Sequence, residues 1–402
     1  MTAWSSVQDT RKSRTAQRTR RKLLTFRAVE APLAQPTSLG ELARLFLQLG
    51  ITGFGGPAAH IAMLRDEVVV RRAWLSEREF LDLLGATNLI PGPNSTEMAL
   101  HVGWRRRRTA GLVVAGLAFI VPAVLITSVI AWSYVKYGSL PPVQWISWGI
   151  KPVIVAIVFD ALVKLVPSAA KSWTLRAVGL SAIVAFVLGA NELVVIFGAG
   201  AIVCASNLST KRALPVFLPF AAWSLGASTL SLSSIFWIFL KIGSVLFGSG
   251  YVLIAFLRTD FVERLGVLTE AQLLDAVAVG QVTPGPVFST ATFIGYLLAS
   301  WSGALVATIG IFLPAFVFVA LSAPFIPRLR ASKFAAALLD GVTIASLALM
   351  ACVTFEIGRG ALVDIPTIAV AIAAFWLLRR RINATWLIAG GGLVGLVKFW
   401  TA

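Results

Sequence analysis

Long apolar stretches separated by short polar turns run along most of this chain. From residue 38 onward, apolar stretches of about 20 residues recur, which is the length that an α-helix needs to cross a lipid bilayer. We therefore predict an all-α polytopic membrane protein. The predicted spans of the first half cover residues 39–64, 80–103, 110–135, 143–166, 173–189 and 191–206.

One short break interrupts this pattern twice, once in each half of the chain. It follows Asn88 in the first half and Gln281 in the second. Each proline removes a backbone donor and disfavours helix at the residue before it, so a helix that enters the break must stop there. Within a bilayer, such a break is tolerated only where protein buries it or where it lines a watery cavity. We therefore predict that function centres on the two breaks, Pro91-Gly92-Pro93 and Pro284-Gly285-Pro286.

The two halves of the chain repeat one another. Phe46 and Phe239 are 193 residues apart, and so are Pro91 and Pro284. Chance does not produce many ungapped identities at one offset, so we infer an internal duplication. Further matched pairs, the last three after a one-residue slip, are Gly50/Gly243, Phe54/Phe247, Arg65/Arg258, Glu77/Glu270, Asp82/Asp275, Gly103/Gly295, Gly111/Gly303 and Pro122/Pro314.

The basic loops indicate that the two halves have opposite orientations in the membrane. The basic turn Arg105–Arg108 corresponds to the uncharged Ser300–Ser302, and the neutral turn Ala190–Asn191 corresponds to the basic Arg379–Arg381. Because basic residues concentrate on the cytoplasmic side, this reversal predicts inverted repeats. Six spans per half and one linking span give about 13 transmembrane segments in two inverted homologous halves with broken helices. The loop 65–79 departs from this scheme, because it carries four arginines yet is expected outside.

The predicted organisation has four parts. Residues 1–37 form a basic disordered cytoplasmic arm, which either contacts anionic lipid headgroups or acts only as a topology signal. Residues 38–212 form the N-terminal repeat, residues 213–235 form a linking transmembrane segment, and residues 236–402 form the C-terminal repeat.

Composition narrows the functional class. Hydrophobic residues make up 57% of the chain and charged residues only 13%, which is about half the charged share of a soluble domain. The net charge of +17 comes from short loops and from the N-terminal arm, which fits membrane topology and not nucleic-acid binding. Two histidines, two cysteines and four methionines do not predict a metal site, and no glycine-rich phosphate loop is present for ATP. We expect neither a cofactor nor an enzymatic activity.

Each break presents the start of a new helix to the protein interior. The free N–H groups and the positive dipole end of such a helix bind anions. Nearby glycines let the backbone approach a ligand, although they serve tight helix packing equally well. Two arginines either escort an oxyanion by bidentate hydrogen bonds or only set topology. The candidate substrate-binding residues are Asn88, Asn94, Ser95, Thr96, Gly55, Gly56, Arg65, Gln281, Ser289, Thr290, Gly248, Gly250 and Arg258, and Pro57 is a further helix break.

Few ionisable residues lie within the apolar stretches, and an intramembrane ionisable group is a functional candidate by default. Asp160 has Lys164 one turn later, so a structural ion pair is an equal alternative to a coupling role. Glu97 follows the first break where the second half has Thr290, and it is either a proton carrier or a helix-capping acid. His60 titrates near neutral pH and is the third coupling candidate.

Several motifs closely resemble the chromate transporter family, over about residues 40 to 400. They are Phe54-Gly55-Gly56-Pro57, Trp74-Leu75-Ser76-Glu77, Asn88–Glu97, Phe247–Tyr251, Val279–Val287 and Phe293–Tyr296. The resemblance implies export of chromate from the bacterial cytoplasm, driven by the membrane gradient, with chromate resistance as the result. It also implies a multi-pass protein of the bacterial inner membrane, surrounded by lipid. The loop charges and the span count predict a cytoplasmic N-terminus. Sulfate, a tetrahedral dianion of similar size, is the natural competitor.

Two other functions stay open from the sequence. The nearer one is import or exchange of sulfate or another oxyanion, and the more distant one is a non-transporting membrane scaffold. The sequence also leaves open the coupling ion and whether the protein forms a homodimer.

We predict that Pro91→Ala combined with Pro93→Ala abolishes transport, because a continuous helix through the break would bury the amide groups that a ligand needs. Anion uptake by cells that carry the double variant tests this, with membrane fractionation to verify that the variant reaches the membrane. Full transport by the double variant would count against the break as the site.

Overall fold

Interrupted apolar stretches fold into an all-helical protein in the computed structural model of this chain. The structure describes residues 37–54, 56–87, 90–207, 231–247, 250–325 and 332–401, and within these ranges it has fourteen α-helices and no strand. Residues Ser38–Ala402 form one compact unit. The predicted arm up to residue 36, Gly55, Asn88, Gly248 and most of the linking segment 213–235 lie outside the described residues.

The first half contributes seven of these helices, and a short π-helical stretch, Asp66–Arg71, continues the second of them. Ser38 and Ser172 accept hydrogen bonds from backbone N–H groups at the starts of two helices, as N-caps do. The helices are α1 Leu39–Thr52, α2 Gly56–Arg65, α3 Glu77–Thr87, α4 Asn94–Tyr137, α5 Pro141–Ala169, α6 Trp173–Val187 and α7 Glu192–Asn207.

The second half repeats this order. A π-helical stretch, Arg258–Arg264, again continues its second helix, and Thr269 and Asp364 form capping boxes. A 3₁₀ turn, Val287–Ser289, precedes the fourth helix of this half. The helices are α8 Leu232–Val245, α9 Val252–Leu257, α10 Glu270–Val282, α11 Thr290–Ser322, α12 Lys333–Ala361, α13 Ile365–Arg379 and α14 Ala384–Thr401.

By length and composition, four helices of the described chain suffice to cross a membrane: 94–137, 287–322, 334–361 and 384–401. Four shorter apolar helices accompany them: 173–187, 192–206, 232–245 and 365–379. This all-α architecture with long apolar helices agrees with the predicted class of membrane protein.

The long helix α4 is a hairpin and not a straight rod. Arg107 and Arg108 leave the helical region, and Arg108 has a φ of 52°. The chain reverses there so sharply that a Cβ on Gly103 would overlap the carbonyl oxygen of Gly111, and the converse also holds. Eight residues of straight helix would separate these two glycines by about 12 Å. The first part of α4, up to the arginine turn, is therefore a short helix that packs against the second part.

Helix α11 makes the same hairpin at the equivalent positions. Ala299 and Ser300 have φ values of −151° and 54°, close to the −144° and 52° of the first half. Gly295 and Gly303 meet as the first pair of glycines does. The duplicated sequence thus folds into a duplicated backbone, including an unusual positive φ at a residue that is not glycine.

The predicted span 39–64 is a pair of helices that folds back on itself. Helix α1 has 14 residues and rises about 21 Å, so a continuing chain would carry the end of α2 far from the start of α1. Instead, Arg72 at the end of the π-helical stretch lies 3.1 Å from Glu41 in the first turn of α1. Gly53 caps α1 in a non-helical conformation, and the chain reverses there.

The predicted span 80–103 folds back in the same way. Glu79 at the start of α3 lies 2.9 Å from Arg105 at the end of the first part of α4. The guanidinium groups of Arg72 and Arg106 lie over the ring of Trp74, 5.2 and 5.3 Å from its centroid. The outer ends of both hairpins are therefore gathered at one place, and their tips are the breaks. Apolar length alone could not distinguish a crossing helix from two shorter helices that return.

In the second half, α8 and the continuation of α9 also run side by side. Lys241 lies 2.7 Å from Asp260, and the rings of Phe239 and Phe261 are 5.2 Å apart. A Cβ on Gly280 of α10 would overlap the hydroxyl of Thr290 beyond the break. Each half therefore begins with two hairpins whose tips are interrupted helices.

Helices α5–α7 and α12–α14 pack reciprocally across the two halves. Gly149 of α5 meets Gly391 of α14, while the equivalent Gly341 of α12 meets Ala199 and Gly200 of α7. When a contact and its equivalent with the two halves exchanged both occur, they indicate a pseudo-two-fold relation between the halves. The largest apolar core joins these helices to the hairpins of the second half.

We predict that Gly295→Ala destabilises the protein by about 1–3 kcal/mol, because its methyl group would overlap the backbone of Gly303 and the Cβ of Ala307. Thermal unfolding in detergent measures this. Gly390→Ala is the matched control, since a Cβ there has nothing within 4 Å and should be neutral or slightly stabilising in a helix. Equal unfolding midpoints for the two variants would contradict the close approach.

Candidate functional site

Each Pro-Gly-Pro break is hydrogen-bonded to the tip of the first hairpin of the other half. The N–H of Gly92 donates to the carbonyl oxygen of Leu246 at 2.9 Å, and the N–H of Gly285 donates to that of Gly53, also at 2.9 Å. Leu246 and Gly53 are equivalent residues in the tips of the first hairpins. Each Pro-Gly-Pro break is therefore bonded to a break of the other half. We call the place where these two hydrogen bonds lie the crossing.

The central glycines of both breaks occupy conformations that side chains rarely adopt. Gly92 has a φ of 141° and Gly285 a φ of 92°. A Cβ on Gly285 would lie 2.9 Å from the Cβ of Ala123, and one on Gly92 would lie 3.5 Å from that of the equivalent Ala315. Glycine is required here both for the backbone conformation and for the close approach of α4 and α11.

A cavity of about 840 Å³ reaches this crossing. Its floor consists of residues from the breaks of both halves, namely Pro93, Asn94, Gly250, Tyr251, Val287 and Phe288. Its walls come from α2, α5, α13 and the start of α14, through Ile61, Ile157, Ala161, Leu165, Leu378, Ile382 and Ala384. A charged group of residues, defined here as the mouth, comprises Asp160, Lys164, Arg379 and Arg381.

The mouth carries an excess of positive charge. Asp160 is buried and forms an ion pair with Lys164 at 2.5 Å, while Arg379 lies 3.9 Å from its other oxygen. The side chains of Lys164 and Arg379 are 56% and 52% exposed. Three cations face one acid, and Arg381 has no part in these ion pairs. A cleft lined by one sign of charge attracts the opposite ion and raises its local concentration.

The floor offers hydrogen-bond donors to an anion. Helix α4 begins at Asn94, and Pro93 gives its N-terminus no side-chain cap. The first N–H groups of a helix have no intrahelical acceptor, and they add to the positive end of the helix dipole. The hydroxyl of Thr96 in this first turn is fully buried and makes no hydrogen bond. Because Asn94 lines the cavity, the positive end of the α4 dipole lies at its floor.

The structure brings several predicted site residues into this cavity and places others behind it. Asn94, Gly250 and Asp160 line the cavity. A second set is buried in the packing around the breaks: Pro91, Gly92, Ser95, Thr96, Gln281, Pro284, Gly285, Pro286, Ser289 and Thr290. Gly56 and Pro57 fall in the first turn of α2.

Arg65 and Arg258 take part in equivalent ion pairs away from the cavity lining. The Nε of Arg65 donates to Glu77 at 2.8 Å, and that of Arg258 donates to Glu270 at 2.7 Å. The hydrogen bond from Arg65 lowers the pKa of Glu77. Arg258 also pairs with Glu263. These bonds tie the end of the first hairpin to the start of the second in each half.

His60 is bonded directly to the crossing of the breaks. Its Nε2 lies 2.8 Å from the carbonyl oxygen of Gly53, the same oxygen that accepts the N–H of Gly285. Because that carbonyl can only accept, Nε2 carries the proton. The ring lies edge-on to Phe119, and Nδ1 is buried without a partner.

Sequence reasoning did not identify Tyr251, Arg379 or Arg381 as site residues. Tyr251 was visible only as part of a motif, and the two arginines only as a topology signal. The structure makes them neighbours because α13 and the tip of the first hairpin of the second half converge on α5.

A polar contact between α4 and α10 joins the two halves. The hydroxyl of Tyr134 donates to Asp275 at 2.8 Å, and the ring of Phe293 packs 5.3 Å from that of Tyr134. Asp275 also approaches Lys151 of α5, which precedes Lys164 of the mouth by 13 residues, or about 20 Å of helix. This contact therefore lies well away from the mouth.

The family model described as chromate transporter matches residues 40–204 and again residues 233–396. A probable chromate transport protein of Synechococcus elongatus is 31% identical over 90% of this chain and 96% of its own. A chromate transport protein of Cupriavidus metallidurans is 31% identical over 90% and 94%, and one of Pseudomonas aeruginosa is 30% identical over 93% and 95%. No solved structure matches the chain.

We predict that Arg381→Glu slows the capture of an oxyanion about tenfold at low ionic strength, because it reverses one of the charges that concentrate anions at the mouth. Initial rates of sulfate and chromate uptake at low substrate concentration measure this, and the difference should shrink in high salt. Arg359→Glu is the control, since Arg359 lies over Phe355 and outside the cavity. A salt-independent loss in Arg381→Glu would contradict steering by charge.

Proposed function

The chain belongs to the chromate transporter family, and from that premise we propose that it is a secondary transporter that carries chromate out of the bacterial cytoplasm. The observation that supports this most directly is the cavity whose floor is built from interrupted helices of both halves and whose mouth is basic. Broken helices at a repeat interface are where secondary transporters bind their substrates.

The chemistry of the floor fits a tetrahedral dianion. Oxyanions accept several hydrogen bonds at once, and charge-assisted bonds from backbone amides are among the stronger ones. A helix N-terminus binds such groups without a metal. Sulfate has the same charge and shape, so we propose it as the competitor of chromate at this site.

We propose that the two halves are inverted in the membrane. Helices of the two halves that pack together run antiparallel, which supports this. Lys171 just after the end of α5 lies 3.1 Å from Asp340 near the start of α12. Lys398 near the end of α14 lies over the ring of Trp148 near the start of α5. Basic residues at the mouth end of α5 then belong to the cytoplasmic side.

The folded-back hairpins change the proposed span count. If neither hairpin of a half crosses the bilayer, each half crosses four times, and one linking crossing gives about nine spans. The loop 65–79 then lies on the same side as Arg105–Arg108, and its four arginines obey the positive-inside rule. The N-terminus is cytoplasmic in this arrangement, as the sequence predicts.

Two considerations support export. The cavity opens at the basic end, which the positive-inside rule assigns to the cytoplasm. A dianion leaving the cell moves toward the positive side of the membrane and gains roughly 5 kcal/mol per 100 mV. The membrane potential therefore suffices as an energy source, and removal of chromate would give the cell resistance.

Transport of sulfate or another oxyanion as the physiological substrate is the second candidate. The chemistry of the cavity floor favours it, because amide donors recognise the charge and shape of an oxyanion and not the identity of its central atom. Competition between the two anions distinguishes the candidates. A pure scaffold would need neither the cavity nor its basic mouth.

We predict that vesicles containing the purified protein take up radiolabelled chromate through the mouth side when the interior is made positive. Asn94→Asp should lower this uptake at least about tenfold, because a carboxylate at the floor repels a dianion. Asn191→Asp is the matched control, since Asn191 caps α7 and aspartate caps equally well. Saturable sulfate uptake that chromate does not inhibit would favour the second candidate. No uptake of either anion would refute the proposal.

A further inference from the structure

One buried acid lies beside the first break without any partner. Glu97 has no exposed surface, and neither of its carboxyl oxygens makes a hydrogen bond. A Cβ on Gly92 would overlap its Oε1, so the carboxyl group packs directly against the central glycine of the break. Burying a carboxylate without a cation or donor is strongly unfavourable, and such a group takes up a proton instead.

The neighbouring elements of the second half present no free charge to Glu97. Helix α11, which approaches the break through Ala315, has no charged side chain between Thr290 and Ser322. Lys241 of α8, the helix that ends just before Leu246, is held by Asp260 at 2.7 Å. Neither helix therefore neutralises a carboxylate at this position.

The neighbouring elements of the first half present two histidines and no ion pair to Glu97. His101 is one turn further along α4 and buried, with Nε2 unbonded. His60 of α2 is engaged with Gly53. Helix α1 has one acid and one base, Glu41 and Arg44, and both lie in its first two turns, at the outer end of the helix.

Glu97 is close to the place where the dianion is proposed to bind. It follows the floor residue Asn94 by three residues, which is about 4.5 Å along the helix. A carboxylate at that distance repels a dianion, whereas a protonated carboxyl group does not. Proton binding and anion binding at these two places therefore strengthen each other, and by linkage the effect is reciprocal.

We propose that Glu97 is a proton-binding site linked to the oxyanion site, so that the chain binds the anion together with one proton on Glu97. The second half has no equivalent, because Thr290 stands at the matching position and its hydroxyl bonds to Val287. The proposal rests on the proposed function for its anion, while the proton site itself is defined by the chain alone. A proton fits better than a metal cation, since the described residues hold no cluster of three or more His, Cys, Asp or Glu side chains.

Calorimetry and pH measurement on the full-length purified protein test the linkage, with sulfate as the probe because it stays a dianion near neutral pH. The affinity of the wild type for sulfate should fall about tenfold or more from about pH 6 to about pH 9, and binding should take up about one proton per sulfate only at the alkaline end of this range, where the free protein gives up the proton of Glu97. Glu97→Gln, a neutral isostere, should bind sulfate with no proton uptake and little pH dependence. Unchanged proton uptake in that variant would overturn the proposal.

Two further variants keep the test decisive. Glu97→Thr installs the residue of the second half and replaces Glu97→Gln if the latter does not fold. Glu192→Gln is the control, because Glu192 is a buried acid whose carboxyl group lies 3.7 Å from Lys241, and it should retain the proton uptake of the wild type. Loss of proton uptake in Glu192→Gln as well would assign the proton elsewhere and overturn the proposal.

Infrared spectroscopy separates failure of the proton site from failure of the proposed function. The wild type should show the C=O stretch of a protonated carboxyl group buried from water, and Glu97→Gln should lack it. If neither sulfate nor chromate binds at any pH, the proposed function fails, while this band still decides whether Glu97 holds a proton. Absence of the band, or its loss on adding sodium ions, would overturn the proton site.

Discussion

Four interrupted helix tips leave backbone groups without intrahelical partners deep inside an apolar protein. In such surroundings water cannot supply the missing hydrogen bonds, and each unpaired group costs several kcal/mol. The crossed bonds from Gly92 to Leu246 and from Gly285 to Gly53 satisfy part of this requirement. Because each bond joins one half to the other, neither half can complete its own break. The crossing therefore fixes the positions of both halves and of the cavity above it.

The two halves share a backbone but differ in the chemistry that they place on it. Arg65 and Arg258 make the same ion pair, and the hairpin turns have nearly the same dihedral angles. Around the crossing the equivalence ends, since the second half has Thr290 at the position of Glu97 and Leu253 at the position of His60. These two titratable side chains, Glu97 and His60, therefore occur only in the first half of a nearly symmetric frame.

The hairpins also account for the distribution of charge along the chain. A loop with four arginines is out of place on the outer face if residues 39–64 cross the membrane once. Because α1 and α2 return to the same place, as the pairing of Glu41 with Arg72 requires, the loop joins the basic turn Arg105–Arg108. In the proposed orientation, the basic mouth of the cavity, formed by α5, α13 and the start of α14, follows the same charge rule.

The sequence by itself determined the helical membrane class, the duplication and the two breaks, because each follows from local chemistry along one stretch of the chain. It also pointed to Asn94, Gly250 and Asp160, which the structure places in one cavity. Only the tertiary structure decided that the first two apolar stretches of each half fold back into hairpins, since hydropathy measures length and not direction. It alone brought Arg379, Arg381 and Tyr251 to one cavity, and it alone showed that the carboxyl group of Glu97 has no hydrogen-bond partner. Contacts between residues more than a hundred positions apart carry no signal in any single stretch of the sequence.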